Sequence, residues 1–124
     1  MCLRDPRPVN PPQEGVVFYK VMKQSGIPDA YDGEWVLGPY LKGEEYLAED
    51  AYGGDYGLLP LKYPPGFHGF VRKEDAQIWA ALKKRTMVVE CVGTVVTMGA
   101  HNTKCAWPCV VASKMTIVRE VKRP

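Results

Sequence analysis

PPGFHGFVRKEDAQIWAALKKR, residues 64–85, contains the change of period that decides the fold. Its first part, Gly66 to Val71, reads as a short strand. From Lys73 to Arg85 the spacing becomes helical: Ala76, Trp79, Ala80 and Leu82, joined by Ile78, form an apolar face. Glu74 and Asp75 fall in the first turn and Lys83, Lys84 and Arg85 in the last, the arrangement that complements a helix macrodipole.

On both sides of this segment the chain turns to β-branched runs. TMVVECV (Thr86 to Val92) and GTVVTM (Gly93 to Met98) read as strands. A loop from Gly99 to Pro108 and a closing strand from Cys109 or Val110 to Val121 follow. Upstream, VVFYKVMK (Val16 to Lys23) is bounded by Gly15 and by Ser25-Gly26, and reads as the first strand of the domain. Strand alternation places Val17, Tyr19 and Val21 on one face and Phe18, Lys20 and Met22 on the other.

Between Ile27 and Pro60 glycine and proline interrupt the pattern every few residues. Short strands are expected near Glu34 to Leu37 and Glu44 to Ala48, followed by a loop from Glu49 to Pro65 that carries Tyr52, Tyr56 and Tyr63. Pro6, Pro8, Pro11 and Pro12 make residues 1–15 an extended arm, since proline withdraws amide donors from helix and ladder alike. Successive strands of this kind pair as antiparallel neighbours. The expected fold is therefore α+β: a mostly antiparallel sheet of about five to six short strands with one principal helix, Lys73 to Arg85, in a single domain over residues 16–124.

The chain has 124 residues, 46% of them hydrophobic, which is enough for one packed core. Sixteen basic residues against 14 acidic ones leave a net charge of +2, too balanced for a dedicated nucleic-acid binder. No run approaches the roughly 18 apolar residues of a membrane span, and the N-terminus lacks a basic segment leading into an apolar one. A cytoplasmic protein is the expectation.

The motifs of common catalysis are missing from the sequence: no phosphate loop, GxGxxG, HExxH or GxSxG occurs. Ser25 and Ser113, the only serines, lie outside any nucleophile-elbow context. Glu44-Glu45 and Glu49-Asp50 read as a solvated face. His101, Cys105 and Cys109, spaced H-x3-C-x3-C with Cys91 as a fourth candidate, form a ligand set that zinc would accept. Against it, the spacing is not the tight C-x2-C knuckle, and Cys91 in a β run suits a small buried hydrophobe. His68, between glycines, reads as lying opposite a face formed by Phe67 and Phe70, where its imidazole could face a cleft; a half-buried histidine with a backbone partner is the blander reading.

The ordered elements VVFYKVMK, EDAQIWA on the helix, VVECVG on the next strand and SKMTIVREV at the end resemble small accessory proteins of phages and their bacterial hosts. These are similar, at a distance, to compact ADP-ribosyltransferases of the rifampin-modifying type. The resemblance implies a cleft between sheets that holds NAD, with a histidine at the end of the first strand, a tyrosine from the middle and an acid near the last strands. The matching first-strand position is Lys20, the middle offers Tyr46 or Tyr52, and TVVTMGAHNTKCAWPC contains no acid. The resemblance thus implies a cleft without its reaction centre.

Three expectations follow. The first is a non-enzymatic binding protein that engages a host protein or a small nucleotide, with Lys20, Tyr46, Tyr52, Tyr56 and His68 as ligand contacts and no resident cofactor. The second is an NAD-dependent transferase or glycohydrolase whose acid is Glu90 or lies in the Glu44 to Asp50 cluster. The third is a zinc-stabilised adaptor on His101, Cys105 and Cys109. An isologous homodimer through an exposed edge of the closing strand is compatible with each.

Overall fold

Val16 to Lys23 forms the centre of the sheet, and in the computed structural model, which describes residues 3–33, 39–49, 66–101 and 103–122, its strand runs further than expected. Strand β1 spans Leu3–Gln24, so residues of the proline-rich arm join the ladder. They pair with β6, Thr86–His101, and the register shifts between Arg4 and Arg7, between Pro8 and Gln13 and between Gln13 and Val16. The first two shifts fall where Pro6, Pro11 and Pro12 cannot donate, so the missing amides are absorbed by irregularities rather than by loss of the strand, and the third falls at Gly15, which takes φ 67°.

The remaining strands are β2 (Ala30–Asp32), β3 (Tyr40–Leu41), β4 (Glu45–Leu47), β5 (Phe67–Phe70) and β7 (Pro108–Val121). The described residues form an antiparallel sheet of seven strands with the helix α1, Lys73–Ala81, placed between β5 and β6 in the chain. The two runs read as separate strands, Thr86 to Val92 and Gly93 to Met98, are one continuous strand, because Gly93 keeps its pairing with Val16 and Met115 and makes no turn. Glu34 to Leu37 lies outside the described residues. The pairings β1–β6, β6–β7, β7–β5 and β5–β1 return to their start, the last through Tyr19 opposite Phe70, so the sheet curls back on itself.

The sheet buries a cluster on each face. One contains Phe18, Met22, Phe67, Val89, Cys91 and Met115; the other, under α1, contains Leu3, Phe70, Ala76, Ala80, Val88 and Val111. Phe67 and Phe70 therefore occupy opposite faces, correcting the shared face expected for them: three residues apart in a strand, they have opposite parity. Gly69 on β5 and Gly93 on β6 flank the Phe18 ring. A Cβ at Gly69 would overlap Phe18 Cδ2, and one at Gly93 would overlap the Lys114 carbonyl oxygen and crowd the ring.

The helix is shorter than its apolar pattern. It ends at Ala81, where Leu82 N and Lys83 N bond to the Trp79 and Ala80 carbonyls in the tighter i to i−3 manner, and Arg85 takes φ 59°. The Thr86 hydroxyl, on β6, is shared by the Ala80 and Lys83 carbonyls at 3.0 and 3.1 Å and covers the helix end. Glu74 and Asp75 do lie in the first turn, but the three basic residues fall beyond the last. The buried stripe is Asp75, Ala76 and Ala80 with Trp79 half-buried, whereas Ile78 is 51% and Leu82 72% exposed. Asp75 tolerates burial because Arg72 Nε lies 3.0 Å from its carboxylate. Among the described residues no helix is long and apolar enough to cross a membrane.

Candidate functional site

Lys20 stands on β1 opposite Val89, on the face that carries Phe18 and Met22. Its ammonium does not meet the His68 imidazole; it donates to the His68 backbone carbonyl at 2.6 Å. Only Tyr19–Phe70 is registered between β1 and β5, so this side-chain bond extends a ladder that the backbone leaves short. Burial pushes the Lys20 pKa down. The His68 ring lies on the other face with Val111, its register partner, and Nδ1 donates to the Gly66 carbonyl at 3.1 Å. Burial, and then the Lys20 charge, lower its pKa to about 4. Two of the residues expected to contact a ligand are thus neighbours, but they present their reactive ends to opposite sides of the sheet.

Tyr46 is also tied into the structure. Its hydroxyl accepts from Leu41 N at 2.6 Å and reaches Glu44 Oε2 at 3.3 Å, and its ring stands edge-on to Tyr40 with centroids 4.7 Å apart. Tyr40 in turn meets Phe67 at 6.0 Å. The Tyr40 hydroxyl is buried without a hydrogen-bond partner among the described residues, and burial pushes its pKa up to about 12. Tyr40→Phe is therefore expected to stabilise the protein by about 1 kcal/mol, because an unsatisfied buried hydroxyl carries a desolvation penalty; a lower urea midpoint for the variant would count against this account. Tyr52, Tyr56 and Tyr63 lie outside the described residues.

His101 sits in an aromatic box. Its ring stacks on Phe70 at 5.3 Å and is met by Trp79 at 4.6 Å and by Trp107 at 5.7 Å. Nδ1 is hydrogen-bonded to Thr103 Oγ1, and burial lowers the pKa. Cys109 is buried, its thiol pushed up to about 12 mainly by burial, while Cys105 is exposed. Among the described residues no three of His, Cys, Asp and Glu come together in a set able to hold a metal ion. His101, Cys105 and Cys109 are not assembled around a common point.

Glu90, the acid of the transferase reading, pairs with Tyr19 across the ladder and bonds Arg119 Nη2 at 3.2 Å. It therefore shares the face of Tyr19, not that of Lys20.

A site that sequence reasoning missed lies beside the helix. The outer flank of α1, the start of β6 and the ends of β1 and β7 enclose a groove of about 630 Å³. Ala80, Met87, Val88 and Val121 supply its apolar lining, with Ile78 and Ala81 on the helix lip. Glu74 and Gln77 add polar groups from the helix, and Gln24, Thr86 and Glu120 also border it. The groove exists because α1 packs close to the sheet through the small residues Ala76 and Ala80, while no element among the described residues covers the flank bearing Ile78 and Ala81. The signal in the sequence was a surplus: Ile78 and Leu82 are apolar positions beyond what a nine-residue helix buries.

No family model, no curated protein and no solved structure matches the chain.

Proposed function

We propose that this protein is a non-enzymatic binding protein whose ligand lies in the groove between α1 and the ends of β1, β6 and β7. The groove itself carries the proposal: its volume of about 630 Å³ falls within the range of small-molecule sites, and it combines an apolar lining with a few polar groups. Two of the residues first expected to contact a ligand are engaged otherwise. Lys20 bonds the His68 carbonyl and Tyr46 bonds the backbone of Leu41. A nucleotide fits the groove poorly, since Glu74 would repel its phosphates and no lysine or arginine is among the described lining residues.

An accessory role of the kind found in phages, with a host protein as partner, stays compatible with this reading through the resemblance of VVFYKVMK, EDAQIWA and SKMTIVREV. The transferase alternative has less support, because Glu90 and Lys20 occupy opposite faces of the sheet. Release of nicotinamide from NAD by the purified protein, above the level of a heat-inactivated sample, would restore it.

The binding proposal is tested by a fragment screen read by amide chemical shifts. Binding fragments are expected to shift Gln77 to Ala81, Met87, Val88 and Val121 as one group, and to lose their effect in Ala81→Trp, which fills the groove from an exposed position. Shifts that persist in that variant, or fragments that cluster elsewhere, would remove the groove from consideration.

A further inference from the structure

We propose that the C-terminal end of α1, with the strand ends beside it, forms a surface that docks on an anionic lipid bilayer. This surface lies next to the groove and does not depend on what the groove binds. Two features coincide in it. Ile78 on the helix and Leu82 just after it, one turn apart, are 51% and 72% exposed, and Leu82 is the most exposed large apolar residue among those described. Four exposed basic residues surround the pair. Lys84 and Arg85 follow the helix, and Lys23 is registered with Thr86, whose hydroxyl closes the helix end. Lys122 joins them from the end of β7, its carbonyl accepting from Gln77 Nε2 at 3.4 Å. None of the four has an ion-pair partner among the described residues.

The neighbouring acids are set apart or neutralised. The charges of Glu120 and Asp29 act on Tyr31, in the cluster on the other face of the sheet. On the helix side Glu90 pairs with Arg119 and Asp75 with Arg72, which leaves Asp32, opposite Lys23, and Glu74, one turn before Ile78. A net charge of +2 for the chain therefore conceals a cationic end beside α1. The helix dipole accounts for Lys84 and Arg85 at the end of α1. It does not account for Lys23 and Lys122, which come from the strands, nor for two aliphatic side chains held in water among them. An anionic bilayer answers both features: its headgroups meet the cations while the tips of Ile78 and Leu82 enter the acyl boundary. A nucleic acid would leave those tips unmatched, and a stable protein partner would need a contact area well beyond two side chains.

The test is co-sedimentation of the full chain with vesicles of phosphatidylcholine alone and of phosphatidylcholine mixed with phosphatidylglycerol. Partitioning onto the anionic vesicles is expected to be at least about tenfold stronger at low salt and to fall steeply as salt is added. Lys23→Gln with Lys84→Gln should weaken it on the order of tenfold. Ile78→Ser with Leu82→Ser should weaken it to a similar degree, about tenfold, with the charge unchanged. All four positions are exposed, so unfolding midpoints should match the parent. Equal partitioning onto the two vesicle types, or none onto either, would overturn the proposal. So would anionic binding that the two serines leave intact and an oligonucleotide competes away, since the surface would then be a general polyanion site. A concentration-dependent dimer that the serines dissociate, without vesicle binding, would give the surface to a second copy and overturn the proposal as well.

Discussion

Phe18→Ala is expected to lower stability by about 3–5 kcal/mol, measured as a shift of the urea unfolding midpoint at unchanged slope. Phe18 is 0% exposed and lies on the central strand between two glycines that make room for its ring. Truncation removes the largest apolar contact at this point and leaves a cavity that the flanking strands cannot close, because β6 is held to β1 along most of its length. Gly69→Ala has the converse fault: the added methyl meets Phe18 Cδ2, and overpacking of this kind costs about 1–3 kcal/mol. The two changes should couple. In the Phe18→Ala background the methyl at position 69 no longer overlaps the ring, although the Tyr19 carbonyl oxygen still lies 3.1 Å away, so the cost of Gly69→Ala should fall by at least about 1 kcal/mol. Strict additivity of the two would show that the ring and the glycine do not share this volume.

Acidification from pH 6.5 to 4 is the second large effect. The His68 pKa is lowered from 6.5 to about 4, first by burial and then by the Lys20 charge. In that interval the unfolded chain binds a proton at His68 that the folded chain refuses. The contribution is therefore complete above pH 6.5, declines as pH falls, and is lost near pH 4. Its full span is about 3 kcal/mol, reduced to the extent that solvent reaches the partly exposed ring. His101, also lowered by burial, acts with the same sign. Stability measured against pH should flatten between these limits in His68→Gln relative to the parent, and the His68 resonance should titrate well below the ordinary histidine range. A His68 titrating near 6.5 would contradict the burial argument. In Lys20→Met the pKa should rise part of the way back, since the second cause of the shift is gone.

The two effects meet at the seam between β1 and β5. Phe18 and Lys20 are neighbours on one face of β1, and one fills the space left by Gly69 while the other bonds the carbonyl next to it. A lysine on an apolar face looks in sequence like a ligand contact, and here it supplies a bond that a short strand pairing omits. Substitutions at Lys20 should for this reason be judged first by stability and only then by binding.

Local chemistry determined much of this protein. Alternation in Val16 to Lys23, the β-branched runs after Thr86 and the helical spacing after Lys73 sufficed for an α+β fold with a mostly antiparallel sheet and one helix, because each rests on neighbours a few residues apart. Where the helix stops was not in its own residues: Leu82 continues the apolar pattern, but the Thr86 hydroxyl on the following strand takes the last carbonyls. Nor could alternation alone show that the prolines of the arm are taken up in register shifts, since those depend on the partner β6. The candidate site was least legible of all. Its lining comes from residues as far apart as Gln24, Glu74, Met87 and Glu120, each unremarkable in its own segment. Sequence spacing reports which residues share one element and one face, whereas a groove is a gap between elements, and only the packing of α1 against the curled sheet decided where that gap lies and which charges line it.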